Sequence, residues 1–203
     1  MWPCRLEKVL TLVDKPVRDL LAAFSSSDPT PGGGSASALA SAVGASLLMM
    51  VASLPKTRSG SNEDRAALGA AAEALVELRQ QLTEAIDADT IAYDQVVAAY
   101  RLPKGTDDEK GARKSAIQRA LRSATDVPLG VMRLSALALK QADIVGAHGH
   151  SGASSDVGVA AALLRAGMHG ARLNVEINVG SIEDEAYKEA VGSEVAALDQ
   201  VAT

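Results

Sequence analysis

A carboxylate inside an apolar helical stripe is the residue in this chain best placed for chemistry. Residues 65–100 are rich in Ala, Leu and Glu, which favour helix. An a/d register taken from Leu68 reads Leu68, Ala71, Leu75, Leu78, Leu82, Ala85, Asp89, Ala92, Val96 and Ala99. Asp89 is the one charge in that stripe, and it must find a partner, take up a proton or face a cavity. A raised pKa would suit it to proton transfer near neutral pH, whereas a cation from a neighbouring helix would make it purely structural. The same register puts Asp87 and Asp94 on the solvent face and Tyr93 beside the stripe.

The second feature is the run Asp28-Pro-Thr-Pro-Gly-Gly-Gly-Ser35. Its three glycines, Gly32, Gly33 and Gly34, supply backbone freedom and leave N–H groups bare where a helix begins near Ser35. Such a loop suits an anion or a ring carbonyl, and it equally suits a tight turn where two backbones touch. Its spacing fits neither a dinucleotide fingerprint nor a Walker loop. His148 and His150 form a His-x-His pair with His169 farther on, but no Cys or Glu stands at ligand spacing, so no metal site is expected. Lys56, Arg58 and Lys104 fall at helix ends or in loops, where they could clamp an anionic tail or simply be solvated. No nucleophile elbow is present.

The elements that position these groups read as an all-α, multi-helix bundle with small-residue packing. A short helix is expected through Leu20, Leu21 and Phe24, with Pro16 in its first turn and Asp14 or Lys15 capping it. The next carries a small row, Ala36, Ala40 and Gly44, beside Leu39, Val43 and Leu47. Residues 36–54 are uncharged and nearly long enough to cross a bilayer, but their Ala, Gly and Ser content predicts a buried soluble helix and no membrane partner. Leu102-Pro-Lys-Gly105 closes the long helix, and Thr106-Asp-Asp-Glu109 is a capping box for one reaching toward Thr125. Pro128 opens a further helix that fades at Gly146. Residues 149–155 form a loop with a cap before Asp156, and helix resumes from 157 to 171. Residues 173–179 alternate like a strand, yet a lone strand would lack a partner, so helix is expected, followed by a last helix over 182–201.

Composition sets the outer limits. The chain has 203 residues, 47% hydrophobic and 22% charged, which fits one domain over 1–203. A net charge of -5 and only 2% aromatic residues argue against a nucleic-acid partner. The single cysteine, Cys4, allows no disulfide within the chain and suits a reducing, cytoplasmic compartment.

With these pieces placed, the whole chain resembles the formiminotetrahydrofolate cyclodeaminase and methenyltetrahydrofolate cyclohydrolase family, which also supplies the C-terminal part of formiminotransferase-cyclodeaminase. The resemblance rests on Pro29-Thr-Pro-Gly-Gly-Gly-Ser-Ala-Ser37, Asp87-x-Asp89 with Tyr93-Asp94, Leu102-Pro-Lys104, Val127-Pro-Leu129, Ser155-Asp-x-Gly-Val-Ala160 and Gly170-Ala-x-x-Asn-Val-x-Ile-Asn178. It implies a helical homodimer acting on a tetrahydrofolate substrate with a one-carbon unit at N5, or bridging N5 and N10, without metal or separate cofactor. As a cyclodeaminase it would let N10 attack the formimino carbon and release ammonia; as a cyclohydrolase it would add water to the methenyl carbon. On this resemblance Asp89 and Asp156 are the expected catalytic carboxylates, with Asp156 held in its charged form by a helix N-terminus. The substrate-binding set would be Pro31, Gly32, Gly33, Gly34, Ser35, Tyr93, Asn174 and Asn178, with Arg58 and Lys104 meeting the glutamate tail.

Overall fold

The computed structural model describes residues 11–202, and Cys4 lies outside the described residues. Helix α1 spans Val17–Phe24, α2 Gly33–Ala52, α3 Asn62–Tyr100, α4 Asp107–His148, α5 Ser154–Val179 and α6 Glu185–Ala202, with 3-10 turns at Leu12–Asp14 and Ser151–Ala153. No strand occurs among the described residues, and 173–179 is the last part of α5, as expected. Two starts carry side-chain caps: Ser61 accepts from the Asp64 N–H, and Thr106 and Glu109 form the reciprocal capping box expected from the sequence. Pro16 is itself the N-cap of α1 rather than a first-turn residue, and no side chain caps that helix.

Helix α2 is the centre of the bundle, packed against α3, α4 and α5. It is the one described helix apolar and long enough to cross a membrane, and it is largely covered by its neighbours instead. Its serines are satisfied: Ser37 and the exposed Ser46 donate to the carbonyls of Gly33 and Ala42, and buried Ser41 bonds Ser135 of α4 at 2.8 Å. Small residues let α5 cross close by. A Cβ on Gly167 would lie 2.5 Å from the Ser37 carbonyl oxygen, and one on Gly44 would lie 2.8 Å from that of Ala160. The core between these helices includes Leu48, Leu75, Leu82, Met132, Leu164 and Met168, all essentially sealed from solvent.

The largest departure from the sequence expectation lies within α4. Pro128 does not open a helix; it sits inside the 42-residue α4. A proline there removes one helical donor and frees the carbonyl four residues earlier. That carbonyl, on Ala124, accepts a 2.7 Å hydrogen bond from the Asn178 side-chain amide of α5, so the helix continues with its polar group satisfied. Asp87 also departs from its expected solvent role: its carboxylate accepts from the Leu12 N–H at 2.6 Å, fastening the chain ahead of α1 to α3. Asp94 is exposed, as its register predicts. Helix α6 is held to α4 by Arg133 and Glu194, paired through two hydrogen bonds of 2.5 and 2.7 Å.

Candidate functional site

Helices α2 and α5 run antiparallel, with Gly33 beside Asn174 at one end and Gly44 beside Ala160 farther along. Helix α3 passes the same end of α2, which brings Asp89 to the opening of the glycine loop. The result is a cavity of about 270 Å³ lined by Gly32, Gly33, Gly34, Asp89, Asn174 and Asn178, with Tyr93 and Val96 from α3 and Ala124 from α4. Pro29 and Thr30 complete it from the loop.

Asp89 is held by one oxygen. Its Oδ2 accepts from the Ser35 N–H at 2.9 Å, and the Ser35 hydroxyl lies 3.2 Å from the same oxygen. Oδ1 has no protein partner among the described residues. Burial pushes the carboxyl above its usual range, and the two Ser35 interactions pull only partly the other way. No cation among the described residues pairs with it, so within them the expected structural ion pair does not fill this position.

The glycines are required by proximity rather than by unusual torsions. No residue of 29–35 has positive φ, and Gly60 is the only described glycine that does. A Cβ on Gly34 would fall inside the van der Waals envelope of the Asp89 carboxyl, 2.7 Å from Oδ2 and nearer still to the other two atoms. A Cβ on Gly33 would come 3.3 Å from the Asn174 amide nitrogen. Close packing and an open cradle therefore coexist. The N–H of Ser35 goes to Asp89 and that of Ala36 to the Gly32 carbonyl, while those of Gly33 and Gly34 have no partner among the described residues.

The expected residues divide into two groups. Gly32, Gly33, Gly34, Asp89, Tyr93, Asn174 and Asn178 share the cavity. Ser35 is fully buried beneath it, donating to the Ile86 carbonyl at 2.7 Å, so it positions Asp89 instead of meeting a ligand. Pro31 does not line the cavity; Pro29 and Thr30, on the same loop, do. Asp156 occupies the first turn of α5, 18 residues before Asn174, or about 27 Å along the helix. Arg58 stands at that far end too, donating to the Gly146 carbonyl. Neither can reach the Asp89 cavity of its own chain. Lys104 lies in the α3–α4 connection, on the cavity's side of the bundle but beyond the end of α3.

Four lining residues, Pro29, Thr30, Val96 and Ala124, were not among the expected site residues, and Ala124 had a signal: it stands four residues before a helical proline, where a carbonyl must be released. The side-chain amides of Asn174 and Asn178 donate to Gly170 and Ala124, which leaves their oxygens as acceptors at the cavity. Asn178→Ala strands the Ala124 carbonyl, and we expect a loss of about 1–3 kcal/mol in chemical denaturation. His148 and His150 are each engaged: His148 Nδ1 bonds buried Asp64 at 2.9 Å, and His150 Nδ1 accepts from the Gly152 N–H. Ser59 also bonds Asp64, and together with His148 it holds that carboxyl well below its usual range.

Fold and site together define an all-helical protein with a small-molecule pocket built around one desolvated carboxylate. The family model of formiminotransferase-cyclodeaminase matches residues 16–197. A methenyltetrahydrofolate cyclohydrolase from Methylorubrum extorquens is 42% identical over 173 residues, covering 85% of this chain and 83% of that relative. Formimidoyltransferase-cyclodeaminase from Sus scrofa is 32% identical over 95% of this chain, which spans only 36% of that longer protein. A formiminotetrahydrofolate cyclodeaminase from Thermotoga maritima superimposes with a TM-score of 0.82 at 24% identity, covering 93% of this chain and 90% of that one, so the fold is shared. The chain belongs to the formiminotransferase-cyclodeaminase family.

Proposed function

We propose that this protein is a folate one-carbon enzyme acting at the carbon that bridges N5 and N10 of tetrahydrofolate, with Asp89 as its proton-transfer group. The observation that carries the reading is the Asp89 carboxylate, fixed through Oδ2 and free at Oδ1 in a pocket with bare N–H donors and two amide acceptors. In hydrolysis of 5,10-methenyltetrahydrofolate, Oδ1 accepts a proton from water as the water oxygen bonds to the methenyl carbon. The tetrahedral adduct then expels N5, which takes up a proton, and the 10-formyl product forms with net release of one proton. The free N–H groups of Gly33 and Gly34 suit the pterin carbonyl, and the Asn174 and Asn178 oxygens suit its ring N–H and amino groups. No metal ion or further cofactor enters this chemistry.

The relationship to the Methylorubrum cyclohydrolase, extending over most of both chains, favours hydrolysis. The cyclodeaminase direction is a second reading, favoured by the Sus scrofa relative. In it, N10 attacks the formimino carbon of 5-formiminotetrahydrofolate, a proton passes to the departing nitrogen, and ammonia leaves. Purified protein offered each substrate separately decides: methenyl absorbance falls in the first case and rises with ammonia release in the second. Inertness toward both would overturn the enzyme reading.

The proposal includes a homodimer in the cytoplasm, the compartment being supported by one cysteine in 203 residues. Helix α2 exposes Val43 and Met50, and its partner α5 exposes Val159, Leu173 and Ile177, the last by 75%. A second copy is the occupant we assign to this apolar face. Light scattering on the eluted protein is expected to give twice the chain mass, and Val43→Asp to give the monomer. A monomeric wild type would remove the dimer.

A further inference from the structure

Helix α5 carries an uncharged stripe that its own bundle leaves uncovered. Val159, Ala162, Ala166, Leu173 and Ile177 are exposed along it at helical spacing, with half-buried Gly170 between them. Ala166 sits at the middle of Ser154–Val179, with small residues to either side and the large ones toward the ends. Helix α2 beside it contains no charged residue. Gly167 meets Ser37 and Ser41 while Gly44 meets Ala160 and Leu164, so exposed Val43 lies within a turn of the level of Ala166. A second copy turned about a two-fold axis at Ala166 overlaps the full length of α5 and sets Val159 against Leu173 of the partner subunit. Moving the axis one turn either way leaves Val159 or Ile177 beyond the end of the facing helix.

The same rotation relocates Asp156. Asp156 and Asn174 are 18 residues apart, five whole turns, so both leave α5 on one side, about 80° round from Ala166. A two-fold axis perpendicular to the helix reverses position along it and preserves that side. Asp156 of the partner subunit therefore arrives level with the stretch between Asn174 and Asn178, which line the Asp89 cavity. Helices seamed by Ala and Gly approach to the near end of the usual interaxial distance of about 8–10 Å, within reach of a carboxylate side chain and a bound ligand. Within its own chain Asp156 is half-buried, and its carboxylate has no hydrogen bond or ion pair among the described residues. We propose that the active site is completed across the dimer, each Asp89 cavity receiving Asp156 of the partner subunit. The inference rests on the enzyme and dimer readings above and gives the dimer a catalytic purpose. The tetrahedral adduct expels N5 only as N5 takes up a proton, and a second carboxylate stabilises the cationic nitrogen of that step while Asp89 serves the water.

The test is complementation between chains. Asp156→Asn alone is expected to lower kcat at least about tenfold with the dimer intact. A dimer of one Asp89→Asn chain and one Asp156→Asn chain, isolated through two affinity tags, then holds one site with both carboxylates and one with neither, and is expected to recover about half the wild-type rate. Sites built within single chains would leave both sites of that mixed dimer defective. No recovery above the parent variants, or full activity in Asp156→Asn, would overturn the proposal while leaving the enzyme reading standing. In a Cys4→Ser background, Ala166→Cys is expected to oxidise to a covalent dimer, which reads the pairing without any assay of turnover. Its failure to cross-link would overturn the register on which the shared site depends. A wild type inert toward both folates would overturn the enzyme reading and this proposal with it.

Discussion

Asp89→Asn is expected to lower kcat by about 10²–10⁴-fold, the range removed with a positioned acid–base group, and to leave the fold intact. Asparagine has nearly the same shape, and its side-chain oxygen can still accept from the Ser35 N–H that now meets Oδ2 at 2.9 Å. What it loses is the capacity to bind and release a proton. Stability argues the same way. The folded-state pKa of Asp89 lies above the ordinary 3.8, so between those values the folded chain holds a proton more tightly than the unfolded chain. Stability from this group therefore rises as pH falls through that window, and at neutral pH the buried charge is a net penalty that asparagine removes. Thermal melts at pH 7 are expected to show the variant at least as stable as wild type, while steady-state assays show the loss in kcat. The wild-type rate is expected to fall on the acid side through a pKa above that of a solvated carboxylate, and the variant to lack that limb. Undiminished turnover in the variant would remove Asp89 from the chemistry.

Gly34→Ala reaches the same group from the other side. In an open helical position the change stabilises by about 0.5–1 kcal/mol, the expectation for Gly69→Ala, where a Cβ meets nothing within contact distance. At Gly34 the new methyl would overlap the Asp89 carboxyl, which is anchored by Ser35 and cannot swing away freely. Overpacking of this kind costs about 1–3 kcal/mol, more than the propensity gain returns. We expect a lowered melting temperature and a fall in kcat approaching that of Asp89→Asn, because the carboxylate is displaced rather than removed. Gly33→Ala approaches only the Asn174 amide end at 3.3 Å and is expected to be milder in both respects. Full activity in Gly34→Ala would show that the Asp89 position is not critical.

These two positions also show what the sequence could and could not disclose. Asp89 was legible because helical periodicity is local: a single charge in a ten-position apolar stripe announces itself. The glycine loop was legible as a helix start, but its reason was not. That reason is the proximity of a carboxylate 55 residues later, and no local pattern carries it. Ser35 was misread for the same cause, since a serine at a helix start looks ready for a ligand until the carboxylate it serves is seen opposite. Asp156 and Arg58 were grouped with Asp89 by family resemblance, which gathers residues without distances. The lengths of α2 and α5 put both at the other end of the bundle. Pro128 was taken as a helix start because its partner, Asn178, lies on another helix.

That last pair ties two lineages of change together. With Pro128 in place, the Ala124 carbonyl needs a donor from outside its helix, and Asn178 gives it one. Any residue with an N–H at 128 would reclaim that carbonyl and release the amide from its anchor. A chain that lost the asparagine would in turn favour losing the proline. Across related sequences the two positions should therefore be inherited as one character, with the pocket's Asn178 wall surviving only where the interrupted helix survives.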